Sequence, residues 1–240
     1  MLLTTNYKTE KAGSSLFLNP LTGKMSQWDV YILQMTPHTQ NSQGKNLCPM
    51  ADGCEKTCLV YSGRGGFQNV YEGRKRRTEL FVNDKSQFME VLIKEITALK
   101  KKADKKGHCV AIRLNGFSDI RWENIKVEHK GTRSTIFDIF PDVMFYDYTK
   151  IPIRTGLKIR NYDVTFSGSV SSLGTVVDEL RSGGRVAMVF KEIPQTYMGY
   201  PVVDGDSHDL RFTDPHNVVV GLKYKVAKGQ DNSKPTIVMK

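Results

Sequence analysis

The sequence predicts a single-domain α/β protein with a mostly parallel sheet and outer helices, built as an incomplete barrel or an open sheet. Three observations carry that prediction. Six short apolar runs alternate with segments of helical periodicity, and strands apolar on both faces belong in a parallel sheet covered by helices. Unexpected polar residues gather at the carboxyl ends of those runs, where the loops of such folds converge. Strands also end simply where polar residues begin, so this second observation alone requires no function. No linker-like break, internal repeat or low-complexity tract divides the 240 residues. The chain therefore reads as one domain over 1–240, with an extension over 1–25 and a tail over 228–240. The barrel core is predicted over 26–227, with a cysteine loop at 46–60.

The elements follow in order. "WDVYILQMTP" is a short buried strand ended by Pro37, and the cysteine loop comes next. "GFQNVYEGRKRRTELFV" is ambiguous but partly helical. "NDKSQFMEVLIKEITALKKKADKKG" is the clearest helix, with Phe88, Leu92, Ile96 and Leu99 at three- and four-residue steps. Asp84 with Gln87 forms a capping box at its start, and Gly107 closes its end. "CVAIRLNG" is the second strand, "IFDIFPD" a short helix and "VMFYDYTK" the third strand. "YDVTFSGS" is a strand followed by the helix "LGTVVDELRSGG", and "RVAMVFK" and "NVVVGLKYK" complete the series.

Composition bounds the function classes. Hydrophobic residues make up 39% and charged residues 25%, which excludes a disordered chain. No apolar run approaches the roughly 18 residues needed to span a bilayer, and "MLLTTNYKTEKAGSS" lacks a signal peptide's apolar segment. A cytoplasmic protein with no membrane partner is the expectation. The net charge of +10 suits a polyanion such as nucleic acid, although charge alone speaks only of solubility and nonspecific attraction. Much of the excess lies in two runs. "LKKKADKK", from Lys100 to Lys106, ends a helix and complements its dipole, as a solvated helix end would. "GRKRRTEL", from Arg74 to Arg77, follows the cysteine loop and is read either as surface charge or as a phosphate receiver.

The cysteines carry the most specific chemistry. Cys48, Cys54 and Cys58, three of the chain's four, are spaced C-x5-C-x3-C. In a reducing compartment such a cluster is a metal or catalytic site more often than a disulfide framework. A structural zinc site wants four ligands, and His38, ten residues upstream, would be the fourth. Cys109 opens its strand while the loop lies at the opposite edge of the sheet, about 20 Å away, so it reads as a small core residue. Three thiolates also suit a 4Fe-4S cluster with one iron left open to a ligand, whereas clusters that only carry electrons normally have four cysteines. Unmetallated or redox-active thiols are the plain alternative.

The groups expected around a cofactor are Asn115, Ser118 and Asp119 after the second strand, Asp147 and Lys150 at the third, and Ser167 at the fourth. In "MFYDYTK", Phe145 is assigned to the core, Tyr146 and Tyr148 to packing against helices, and Asp147 with Lys150 to the site or to a structural pair. Alternation places Cys109, Ala111, Arg113 and Asn115 on one face. The buried arginine needs an anion: either Asp147 on the neighbouring strand or a substrate carboxylate or phosphate. "DGDSHDLRFTDPH" crowds Asp204, Asp206, His208, Asp209, Asp214 and His216 near Arg211. That is a divalent-metal nuclease site, a salt-bridged turn, or a lid over the barrel mouth. "GRGG" at 63–66 is a weak phosphate-loop signal without the P-loop lysine and hydroxyl pair.

Six phrases resemble a family of small bacteriophage proteins, the gene product 88 domain family, over roughly residues 25–227. They are "LCPMADGCEKTCLVYSGRGG", "RRTELF", "RLNGFSDIRWE", "IFPDVMFYDYTKIP", "NYDVTFSGS" and "DGDSHDLRFTDPHNVVVGLK". That resemblance implies a viral origin, and hence the host cytoplasm, but little chemistry. The order of strand, three-cysteine loop and alternating helices and strands is also similar to the radical S-adenosylmethionine enzymes. That likeness implies a single-domain partial (β/α)6 barrel, a 4Fe-4S cluster on Cys48, Cys54 and Cys58, and S-adenosylmethionine on the open iron. The turn from Asn115 to Asp119 would lie where those enzymes contact the methionine amine. The chain departs from their C-x3-C-x2-C spacing, has Thr57 where they carry an aromatic, and lacks their glycine-glycine-glutamate motif. The leading expectation is an iron–sulfur protein, either a radical-type enzyme or a degenerate relative, with a small-molecule cofactor or substrate in the barrel mouth. The alternative is a basic nucleic-acid-binding protein or nuclease with a zinc-stabilised loop. A third reading, a non-catalytic inhibitor of a host protein, is neither favoured nor opposed by the residues.

Overall fold

The structure, a computed structural model, describes residues 1–51, Cys54, Cys58, Val60, 63–225 and 238–239. The chain opens with a two-residue strand β1 (Leu3–Thr4), a capped helix α1 (Tyr7–Ala12) and a hairpin of β2 (Phe17–Asn19) and β3 (Lys24–Ser26). Strand β4 (Trp28–Leu33) precedes the cysteine loop. Two helices then run end to end, α2 (Gln68–Asn83) and α3 (Lys85–Asp104), and Asp84 caps the second by accepting a hydrogen bond from Gln87 N at 2.9 Å. The ambiguous segment is thus helical from Gln68 onward, and Gly107 with φ of 70° lies just past the end of α3.

Strand β5 (Cys109–Arg113) leads into a hairpin of β6 (Lys126–His129) and β7 (Thr132–Thr135), a single helical turn α4 (Ile136–Ile139), and strand β8 (Met144–Thr149). Next come β9 (Tyr162–Ser167), α5 (Leu173–Arg181) and β10 (Val186–Phe190). The series continues with β11 (Thr196–Tyr197), β12 (Tyr200–Asp204), β13 (Val219–Lys223) and β14 (Val238–Met239).

The main sheet runs β1-β4-β5-β8-β9-β10-β13-β12-β11, with β14 also beside β10. From β4 to β13 every neighbouring pair is parallel, and strand order follows chain order without reversal. The sheet is open: β1 joins antiparallel at one edge, and the β11–β12 hairpin extends the other. The class is therefore mixed α/β with a mostly parallel sheet, as predicted, and all six predicted strands form.

The outer helices are fewer than the sequence led one to expect. Only the β4–β5 and β9–β10 crossovers carry long helices, while a hairpin and one turn serve β5–β8. The predicted extension 1–25 is also part of the fold, because Leu2 and Leu3 are buried and their amides donate to the Glu95 carboxylate. Of the predicted tail, only Val238–Met239 lies within the described residues, and it adds to β10.

Alternation along the strands divides the core into faces. Val110, Ile112, Phe145 and Tyr162 meet Phe88, Leu92 and Ile96 of α3, while Val186 and Met188 meet Val176 and Leu180 of α5. Each fully buried aliphatic or phenyl side chain contributes roughly 1.5–3 kcal/mol. Across the sheet, Trp28, Val30, Ala111, Met144 and Tyr146 pack against Leu210 and Phe212. The segment before β13 thus covers the face that the helices leave bare. Among the described residues, no helix is long and apolar enough to cross a membrane.

Candidate functional site

A cavity of about 460 Å³ opens at the carboxyl ends of the parallel strands. Cys48, Cys54 and Cys58 all line it, together with His38, and the loop after β4 supplies all four. The turn after β5 contributes Asn115 to Asp119, and the end of β8 brings Tyr148 and Lys150. Ser167 and Val189 come from β9 and β10, and Leu222 to Lys225 from the end of β13 and the two residues after it. Five of the six predicted cofactor residues, Asn115, Ser118, Asp119, Lys150 and Ser167, therefore share one cavity with the three thiols.

Several of these groups hold the wall together. The Asn115 Oδ1 accepts from Ser118 Oγ, Ile120 N and Trp122 Nε1, while its Nδ2 donates to Ile120 O and Asp147 Oδ2. Asp119 accepts from Thr149 Oγ1 and Lys150 N and pairs with Arg154. Its own amide donates to Leu47 O at 2.7 Å, which ties this turn to the residue before Cys48. Gly116 is required by close approach, since a Cβ there would lie 2.7 Å from Leu33 O. Asn115, Ser118 and Asp119 thus spend their polar atoms on the turn itself.

Asp147 is the exception among the predicted residues. It does not line the cavity, and it is fully buried on the face of Phe145. The reason is strand alternation: with Phe145 in the helix-side core, Asp147 two residues on must share that face. Tyr146 and Tyr148, expected against helices, point the other way, and Tyr148 lines the cavity. Asp147 accepts from Asn115 N at 2.6 Å and Tyr162 Oη at 2.9 Å. Burial pushes its carboxyl up to about 7, opposed by the Arg154 charge and those hydrogen bonds.

Arg113 is likewise not paired with Asp147. It stacks over the Tyr148 ring at 4.5 Å and meets Asp209 at 3.5 Å. Asp209, supplied by the acidic segment, also accepts from Tyr146 Oη at 3.0 Å. The rest of that segment is a salt-bridged turn: Arg211 and His208 face Asp214, and Asp206 meets Lys225. Asp206 and Asp209 line the cavity, and Leu210 and Phe212 anchor the segment in the core beneath. The segment is thus both part of the cavity lining and packed into the core.

The basic run after the loop turned out to be structural in part. Arg74 is 1% exposed and donates to Gly65 O at 2.8 Å and Val60 O at 3.4 Å, and its guanidinium sits over the Phe117 ring at 5.6 Å. It ties the end of the cysteine loop to α2 and to the Asn115–Asp119 turn. Arg77 donates to Met1 O and Gln34 O, leaving Lys75 and Arg76 exposed. Sequence reasoning missed the Arg74 role. Its signal was periodicity, because Arg74, Thr78, Phe81 and Val82 form the buried stripe of α2. The Lys100–Lys106 run is a solvated helix end, as expected. "GRGG" forms a short 3-10 turn. Thr57 lies outside the described residues.

Burial pushes the Cys48 thiol up to about 12, and Cys54, Asp119 and Cys58 add to the shift. Burial likewise raises Cys58 to about 11. Among the described residues, no three His, Cys, Asp or Glu side chains lie close enough to hold one metal ion. A multi-iron cluster asks for wider spacing than a single ion, because each thiolate binds a different iron. Three soft donors around one cavity fit such a cluster in the chemistry of the set. Cys109 stands apart at the start of β5, where Asn19 Nδ2 donates to its sulfur at 3.2 Å.

No curated protein and no solved structure matches the chain. A family model described as "Gene product 88" matches residues 1–235. That match over nearly its whole length shows that the chain belongs to the gene product 88 family of phage proteins.

Proposed function

We propose that the cavity is the site of a 4Fe-4S cluster bound by Cys48, Cys54 and Cys58, and that the protein acts on a small molecule held beside it. The observation that carries this reading is that all three cysteines line one cavity at the carboxyl ends of the parallel strands. When bound through three thiolates, such a cluster supplies an iron with an open position and a site for one-electron chemistry. The chain's own residues do the rest. The bond from Asp119 N to Leu47 O and the Arg74 contacts to Val60 O and Gly65 O fix the loop on both sides of the thiols. Ile32, Phe117, Val189 and Leu222 give part of the wall an apolar surface.

The unreversed strand order is what a partial barrel requires and is consistent with a distant likeness to the radical S-adenosylmethionine enzymes. S-adenosylmethionine is the cofactor such a likeness names. The internal use of Asn115, Ser118 and Asp119 and the missing glycine-glycine-glutamate motif favour a degenerate relative over cofactor cleavage.

Zinc on the same thiols is the second reading: His38 lines the same cavity, although among the described residues no three donors lie close enough to hold one ion. The nucleic-acid partner attached to that reading draws less support, since Arg74 and Arg77 turn inward and the acidic segment is internally paired. Anaerobic purification with iron, sulfide and zinc analysis and an absorption spectrum separates the two. About four irons and four sulfides per chain with broad visible absorption support the cluster. Stoichiometric zinc without iron would replace it with a structural clip.

A further inference from the structure

The cavity that the thiols line also holds cations that the fold leaves only partly used. We propose that Arg113 and Lys150 form a subsite for the anionic group, carboxylate or phosphate, of a small molecule whose apolar body lies against the neighbouring wall. The inference rests on the cavity reading above and adds the class of ligand.

The charges facing the cavity are Arg113, Lys150, Lys223 and Lys225 against Asp119, Asp206 and Asp209. The three carboxylates are committed. Asp119 is held by Arg154, Thr149 and the Lys150 amide. Asp206 accepts from the Lys223 amide and the Lys225 ammonium. Asp209 accepts from Tyr146 Oη.

The cations are less committed. Lys150 Nζ donates to Ser167 O at 3.2 Å, and among the described residues no carboxylate pairs with it. An ammonium carries three donors, so two are left for a ligand. The Arg113 contact to Asp209 is long at 3.5 Å, and its Nε is buried with no hydrogen-bond partner among the described residues. The side chain is 19% exposed where it lines the cavity, and a guanidinium held by one long contact has further donors for an anion there. Tyr148 holds the guanidinium plane by stacking, and Arg113 and Lys150 sit at the ends of adjacent strands. Beside them Tyr148, Val189 and Leu222 give the apolar surface, and about 460 Å³ is within the range of small-molecule pockets.

The test uses three probes of one shape: benzoate, phenyl phosphate and neutral benzamide. Binding to the anaerobically purified full chain is followed by calorimetric titration, with iron measured on each preparation. The expected result is binding of at least one anion, weakened about tenfold or more in both Lys150→Gln and Arg113→Gln, with benzamide weak throughout. The stronger of the two anions identifies carboxylate or phosphate as the group recognised. Lys150 is partly exposed and its loss leaves no buried charge, so that variant keeps the test sound if Arg113→Gln folds poorly. Benzamide binding as tightly as the anions, no binding of either anion, or anion binding indifferent to Lys150→Gln would overturn the subsite. Charge-dependent binding to a chain without iron keeps the subsite and rejects the cluster. A chain with iron but no charge-dependent binding does the reverse.

Discussion

The two ends of the parallel sheet use the same residue types differently. At the amino end, Cys109 is satisfied by Asn19, and Asp29 by Lys106 and His108. Among the described residues these groups are paired with one another. At the carboxyl end, Asn115, Asp119 and Arg154 brace the backbone from behind, and the thiols of Cys48, Cys54 and Cys58 with Lys150 and Arg113 project into one cavity. The comparison teaches that a cysteine or an aspartate is a site residue by its strand end and pleat face, not by its type.

The brace is where the difference breaks most easily. Arg154 is 1% exposed and joins Asp119, Glu123 and Tyr162. Replacing it with Met leaves two carboxylates buried without their cation, so unfolding in urea should show a loss of about 3–5 kcal/mol. A loss below about 1 kcal/mol would mean that the brace is solvated and the ends are less different than they look.

Asp147 tests the same brace through pH. Its folded-state pKa, about 7, lies above the ordinary carboxylate value, so its stabilising share is complete below about pH 4 and is lost as pH rises through 7. The wild-type stability should fall across that window by roughly 2–4 kcal/mol relative to Asp147→Asn, in which the slope disappears. Parallel pH profiles of the two proteins would sink this assignment.

Gly116→Ala sharpens the comparison at the turn. The added Cβ meets Leu33 O at 2.7 Å and Ile32 Cγ2 at 2.9 Å, and such overpacking costs about 1–3 kcal/mol. Because Asp119 N holds Leu47 O, the same variant should also retain less iron than wild type. Smallest of all is Cys109→Ala, which removes one weak contact at the amino end. It should shift stability by about 1 kcal/mol or less in thermal melts.

Much of this was legible in the residues. The apolar runs marked all six parallel strands because two-sided burial leaves them no polar alternation, and the spacing of Phe88, Leu92 and Ile96 marked α3. The hairpins escaped because their strands are short and polar on exposed surface, and the edge strand at Leu3 because two residues carry no periodicity. The cysteine loop and the Asn115–Asp119 turn were found from their position after strands. Asp147 was misplaced although its parity with Phe145 was readable. The meeting of Arg113 with Asp209, 96 residues apart, depends on a return of the chain that no local pattern encodes. Arg74 was hidden in a run of charges whose helical period, once read, points it inward.

The central claim is that the sheet's two ends divide the cysteines into three that hold a cluster and one that packs. It is tested most directly by iron and sulfide content, measured side by side on anaerobically prepared Cys48→Ala, Cys109→Ala and wild-type protein. The account predicts that Cys109→Ala matches wild type while Cys48→Ala loses most of its iron and its visible absorption. Equal iron in all three, or loss only in Cys109→Ala, would contradict it.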